Sequence, residues 1–256
     1  MPAVATKRNG HVGELRPVIA LPGVALREAA ALLPRPGLAL NEGERSADWL
    51  LWQLADSAFP TGGFGHSGGL EAAWQHSEVT RANLPGFLET SLRQCARSSL
   101  PFVAAAHADT ERLPELDAHC DAFLSNHVAN RASRLQGRAF WTAVTRAFLP
   151  DLAEPPERCH LAPVFGVLSS RLGLATLPAA RLFLFLHFRG LVSSAVRLGI
   201  VGPLEAQSMQ HRLAPVAVSV ATHAATLTLD DLAQTAPLLD LWQGAQDRLY
   251  SRLFQS

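Results

Sequence analysis

The sequence predicts an all-α fold: a single globular multi-helix domain behind a mobile N-terminal tail. Three observations carry that reading. Apolar residues recur at helical spacing, most clearly at Leu84, Phe87, Leu88 and Leu92, an i, i+3, i+4, i+8 stripe. Period-2 runs bounded by Asn-Gly or Asp-Gly turns are missing, which leaves strands without a signal. The composition, 48% hydrophobic and 17% charged, belongs to a globule with a sizeable core rather than to a disordered chain.

Taken in order, residues 1–45 hold several prolines and glycines with little sustained periodicity. They read as a flexible extension with one short helix near Leu26–Leu33. The helical domain is expected over 46–256. Ser46 and Asp48 can cap a helix that carries Trp49, Leu50, Trp52 and Leu54 and ends at Ala58. Pro60, Thr61, Gly62 and Gly63 then force a turn, because proline fixes φ and glycine permits φ > 0. The next helix should start near His66 or Ser67, with Ser67 as its N-cap and Glu71 in its first turn. Phe59 and Phe64 flank this turn, and core packing is their default role.

Helices are expected at 66–77, 84–97, 101–111, 115–147, 162–172, 178–199, 204–222 and 237–252. Within 115–147, Leu135, Ala139 and Thr142 would share a face flanked by Phe140 and Val144. Pro150, Pro155 and Pro156 break the chain ahead of Cys159, and Pro215 should kink or restart its helix. The β-branched run between Val216 and Leu229 is the one stretch that competes with a helical reading.

Charge and cysteine usage exclude several function classes. The 22 basic and 22 acidic residues cancel, so the basic excess of a nucleic-acid binder is lacking. Lys7 is the sole lysine, which coding bias explains as readily as a preference for guanidinium groups at interfaces. Cys95, Cys120 and Cys159 lie far apart and suggest reduced thiols in a cytosolic setting. The opening MPAVATKRNGHVGELRPVIALPG has no continuous apolar core, so a secretory leader is not expected. The most apolar stretch, Leu177–Val201, carries Arg181, His187, Arg189 and Arg197, which favours a buried core helix over a membrane span.

Gly65-His66-Ser67-Gly68-Gly69 matches the G-x-S-x-G nucleophile elbow. That elbow needs a strand running into a turn and a helix above a parallel sheet. No strand–helix alternation is present to build it, so a serine hydrolase using Ser67 is the minority reading and a shaped helical hairpin the main one. The ten histidines form no HExxH or H-x3-H pair and there is no CxxC, so a resident metal cage is not indicated; a transient or assembled nickel site, or a free-standing nickel-binding protein, is a further minority reading. Nucleotide loops and an acid/base carboxylate pair are missing too, and no cofactor or catalytic residue is assigned. The segment Asp247–Ser256 is unusually apolar and arginine-rich. It either packs back on the domain or serves as a docking tail that orders on a partner.

The stretch from Leu50 to Glu71, with its P-x-G-G-F-x-x-S-x-G-L-E core, resembles the hallmark segment of the UreF urease accessory proteins. Arg134-Leu-Gln-Gly137, Ser194-Ala-Val-Arg-Leu198 followed by Gln207, and Ser251-Arg-Leu-Phe-Gln-Ser256 resemble later segments of that family in the same order. The resemblance covers roughly residues 48–256. It implies an all-α, homodimeric, cytoplasmic and non-catalytic adaptor that binds UreD (also called UreH) and recruits the nickel-carrying GTPase UreG. The assembly would engage apo-urease, with GTP hydrolysis by UreG coupled to nickel release. UreF would supply surface, orientation and, as one option, a wet conduit.

Carried over, Pro60, Gly62, Gly63, Phe64, Ser67, Gly69, Leu70 and Glu71 would shape the hairpin. Arg197 and Gln207 belong to the third segment, and Tyr250, Arg252, Leu253 and Phe254 would be the tail that docks on UreD. The family more often has a histidine shortly before its S-R-L-F, where this chain has Gly244-Ala245-Gln246-Asp247.

Overall fold

The computed structural model describes residues 42–256 apart from 153. The expected extension 1–45, with its short helix near Leu26–Leu33, lies almost wholly outside the described residues. The elements are α1 (Glu42–Ala55), α2 (Leu70–Gln75), α3 (Leu84–Ser98), α4 (Leu100–Ala108), α5 (Leu113–Phe123), α6 (His127–Phe148), α7 (Leu161–Arg171), α8 (Thr176–Arg197), α9 (Pro203–Ala224) and α10 (Pro237–Ala245). Short 3-10 turns join several of them, and no strand occurs among the described residues. The all-α expectation is met.

The hydrophobic pattern explains which helix lies at the centre. Helix α7 reads APVFGVLS, apolar all round, and its residues Ala162–Ser169 are buried in succession, as a helix without a polar face must be. It packs against α4, α5 and α6. Phe140 of α6 stacks on Phe165 of α7 at 5.0 Å, and Phe183 of α8 meets Phe165 edge-on at 5.1 Å, so three helices share one aromatic column. Gly137 lets α6 approach the chain entering α7: a Cβ there would fall inside contact distance of the Cys159 carbonyl. Helix α8 is long and apolar enough to cross a membrane by composition. Here it packs on α9, α3 and α4, and most of its apolar residues, Leu182 and Phe188 among them, are buried.

Several expected boundaries shift for local reasons. The first helix already runs from Glu42, so Ser46 and Asp48 lie inside it rather than capping it. It stops at Ala55 instead of Ala58, where the Asp56 carboxylate accepts the Ala58 N–H at 2.7 Å. The predicted 115–147 helix is two helices. Asn126 caps α6, accepting the Val128 and Ala129 N–H groups at 3.0 and 3.3 Å, while its own amide donates to the Asp240 carbonyl. Helix α9 continues through Pro215, because Pro215 and His211, whose carbonyl loses its partner, both face solvent.

The face assigned to α6 also needs correction. Leu135 and Thr142 are exposed, while Phe140, Trp141 and Val144 are buried, since the rings remove more apolar area from water. Helix α10 ends at Ala245, not 252. Beyond it the chain makes a 3-10 turn and then an irregular segment. The approach to α10 is fixed from α3, where the Gln94 side-chain Oε1 accepts Thr235 N–H at 2.5 Å and Ala236 N–H at 2.9 Å.

Candidate functional site: the hairpin and the returning tail

Three parts of the sequence converge at one end of the helical bundle: the hairpin around residues 60–71, the C-terminal turn of α8, and the segment 247–256. The hairpin is built by backbone conformation. Gly62, Gly68 and Gly69 hold φ of +72°, +60° and +87°, values that side chains oppose. Gly63–Gly65 make a 3-10 turn, and α2 starts only at Leu70, later than the expected start at His66 or Ser67. Gly69, not Ser67, is its N-cap. A Cβ on Gly69 would stand 2.8 Å from the Gln243 amide nitrogen, so this glycine also admits α10 against α2.

Ser67 is fully buried, and its hydroxyl accepts the Glu71 N–H at 3.4 Å. The neighbouring His66 ring turns away, with Nδ1 2.6 Å from the Ser256 hydroxyl. Burial, then the charge of Arg131, hold His66 below the usual imidazole range. A buried serine without a base on it, in a turn fed by a helix, does not have the geometry of a nucleophile elbow.

Glu71 is the centre of the site. It is 2% exposed, and its two carboxylate oxygens receive donors from α2, the turn after α10 and the tail. Oε1 accepts Leu253 N–H at 2.6 Å and the Gln75 amide at 3.5 Å. Oε2 accepts the Gln246 amide at 2.6 Å and Phe254 N–H at 3.1 Å. Gln246 stands in the stretch where the sequence departs from the family pattern, and it also donates to the Phe254 carbonyl at 3.2 Å. Further along, Gln255 N–H donates to the Gly65 carbonyl at 2.8 Å and Ser67 N–H to an oxygen of Ser256.

Arg197, in the last turn of α8, fastens the other side. Its guanidinium lies 3.7 Å from the Phe64 ring centroid and 4.2 Å from that of Phe254, and it donates to the Phe64 carbonyl. Phe254 is thereby buried, at 3% exposure, while Phe64 keeps 69% of its surface in solvent. The default core role of Phe64 does not hold; Phe59 does pack inward, against Phe140 and Phe148. Tyr250 is fully exposed and Leu253 half exposed. Arg252 pairs at 3.0 Å with Asp247, which also takes a two-pronged bond from Arg131 of α6. Arg131 before all else holds the Asp247 carboxyl below the ordinary carboxylate range.

Of the residues singled out from sequence, Glu71 and Arg197 meet the tail residues Leu253 and Phe254 here and Ser67 meets Ser256; Phe64 shares Arg197 with Phe254, and Gly62, Gly63 and Gly69 shape the hairpin that carries them, with Pro60 and Leu70 on either side. Gln207 does not join them: it lies exposed on α9. Sequence reading missed Gln246, His66, Asp247 and Ser194, whose hydroxyl reaches the His66 carbonyl at 3.4 Å. Beneath the hairpin lies a cavity of about 490 Å³, bordered by hydroxyls and amides such as Ser91, Gln94, Ser98 and Gln136 as well as His187. Among the described residues no three His, Cys, Asp or Glu side chains converge as a metal site.

The family model described as UreF matches residues 79–214. The chain is 37% identical over 238 residues to urease accessory protein F of Arabidopsis thaliana, covering 87% of this chain and 98% of that protein. It is 33% identical over 204 residues to urease accessory protein UreF of Mesorhizobium japonicum, covering 78% and 92%. It is also 33% identical over 210 residues to the UreF of Mycobacterium tuberculosis, covering 81% and 98%. An all-helical body, a glycine-built hairpin and near full-length similarity to these proteins lead to one conclusion: the chain belongs to the UreF family of urease accessory proteins.

Proposed function

We propose that this protein is a non-catalytic adaptor in the cytoplasm that joins UreD/UreH and the GTPase UreG on apo-urease so that nickel can be inserted. The observation that carries the reading is the composite surface at the hairpin. Phe64, Tyr250 and Leu253 present large apolar groups to solvent from segments far apart in the sequence; Leu253 is held by the bonds of its own and the Phe254 N–H to Glu71, and Phe64 by Arg197. Solvent-facing aromatic and aliphatic groups on a rigid support are what a binding hot spot requires, and ordering them in advance lowers the entropy lost on docking.

The tail reading changes in one respect. Phe254 acts as an internal anchor between Arg197 and the hairpin, leaving Tyr250 and Leu253 as the groups that meet UreD/UreH. A homodimer is supported by α1, where Trp49 and Trp52 stand edge to face at 5.2 Å and remain 70% and 61% exposed. The cavity under the hairpin, with a mostly apolar wall interrupted by Ser91, Gln94, Ser98 and Gln136, supplies space for a conduit. Three buried thiols without a disulfide suit a reducing compartment. Burial pushes those of Cys95 and Cys159 up to about 12, which keeps them protonated.

The test is capture of purified UreD/UreH by the full chain and by a chain lacking residues 248–256. A roughly tenfold or greater loss of affinity is expected on deletion, the cost of removing a hot-spot group, and unchanged capture removes the docking role of the tail. Labelling of Ser67 by a fluorophosphonate would instead favour the hydrolase reading, and none is expected.

A further inference from the structure

We infer that Glu71 is the positioning residue of the docking surface: its buried carboxylate sets the shape in which segment 249–256 is presented, although it meets no partner itself. The inference rests on the docking role proposed above for the tail. The segment has little structure of its own. Its backbone N–H groups at Leu253, Phe254 and Gln255 donate to Glu71 and Gly65, an oxygen of Ser256 accepts Ser67 N–H, and the Ser251 and Phe254 carbonyls accept the side-chain amides of Gln75 and Gln246; Leu249 N–H donates to the Gln246 carbonyl. Two of these backbone donors end on one side chain, Glu71.

The chemistry of the site demands a carboxylate. Each oxygen of Glu71 faces two donors: Leu253 N–H and the Gln75 amide on one, Phe254 N–H and the Gln246 amide on the other. An ionised carboxylate only accepts, so all four contacts are satisfied at once. A glutamine has the same shape but carries an NH2 in place of one oxygen. Whichever way it is turned, that NH2 confronts a backbone N–H, of Leu253 or of Phe254, which unlike the Gln75 and Gln246 amides cannot flip to accept. The geometry therefore requires the acid, which a merely space-filling role would not.

Because Leu253 N–H and Phe254 N–H are adjacent donors on the same carboxylate, their bonds fix which side chain points inward. Phe254 goes down onto Arg197 and Leu253 stays at the surface. If the carboxylate were removed, the tail could turn over and exchange these two roles.

The experiment is amide hydrogen exchange on the full chain and its E71Q variant, with E71A as a second variant that removes the acceptors without adding a donor. Exchange at Leu253 and Phe254 should rise roughly 10- to 100-fold in both, the range for losing a hydrogen bond to a charged group. Exchange in α4 and α7 should not move. Unchanged protection in the tail overturns the inference. So does an E71Q loss of thermal stability that persists undiminished in a chain lacking 249–256, because Glu71 would then support the hairpin alone.

Capture of purified UreD/UreH by E71Q separates the two ideas. Capture that falls as the tail loosens supports both. A loosened tail with full capture overturns the positioning role by removing the docking reading beneath it. A protected tail with lost capture overturns the role assigned to Glu71 and leaves docking standing.

Discussion

His187 offers a quantitative test of how the interior is built. Its ring sits on α8, hydrogen-bonded to the Ser91 hydroxyl of α3 at 2.8 Å and bordering the cavity. Burial pulls its imidazole down to about 4 from the ordinary 6.5. A depressed histidine stays neutral in the folded chain while the unfolded chain takes up a proton. Its stabilising contribution is therefore complete above pH 6.5 and is lost as pH falls from there toward 4.

Between pH 7 and pH 5 the unfolded chain takes up the proton over the ~1.5 pH units below 6.5 while the folded ring stays neutral, which is roughly 2 kcal/mol. That figure is an upper bound, since the ring's remaining accessible surface faces the cavity. For a chain of this size the corresponding fall in Tm is on the order of 4–8 °C. His66 and His160, both lowered chiefly by burial, act with the same sign, so the His187 share must be isolated. The Asp121 carboxyl, held at about 2 first by the Asn130 amide and then by His160, titrates below this window. The assay is thermal unfolding of the parent and His187→Gln at pH 7 and pH 5. The parent should lose markedly more stability on acidification than the variant. Equal losses in the two chains would refute the reasoning.

Other substitutions probe the packing. Gly137→Ala should cost about 1–3 kcal/mol in urea unfolding, because its Cβ meets the backbone of Cys159, which cannot rotate aside. Phe165→Ala removes the middle ring of the α6–α7–α8 column and should cost about 3–5 kcal/mol by the same measurement. Arg197→Ala leaves Phe254 without its cation and should loosen the tail by about 1 kcal/mol, read as faster amide exchange at residues 252–255 with the core unchanged.

Much of the helical body was legible because its periodicity is strong: the Leu84, Phe87, Leu88 and Leu92 stripe is buried on α3 as its spacing requires. The break at Asn126 was equally written in the sequence. An asparagine after Ser125 is a good N-cap, but the apolar run on both sides masked it. The hairpin's place was legible from its glycines, while its partners were not. Nothing local to Glu71 indicates that residues so distant in the chain would close on it, because that pairing is decided by tertiary packing. The apolar pattern of 249–254 reads as a helix for the same reason. The backbone donors that would have continued α10 are taken instead by a carboxylate from α2.

The role of the whole molecule is tested most directly by reconstitution. Apo-urease is incubated with nickel, bicarbonate, UreD/UreH, UreG and GTP, with or without this chain, then separated and assayed for bound nickel by mass spectrometry. The adaptor account predicts metal on urease only when the chain is included, with the chain itself recovered unchanged. Equal nickel loading in its absence would contradict the account.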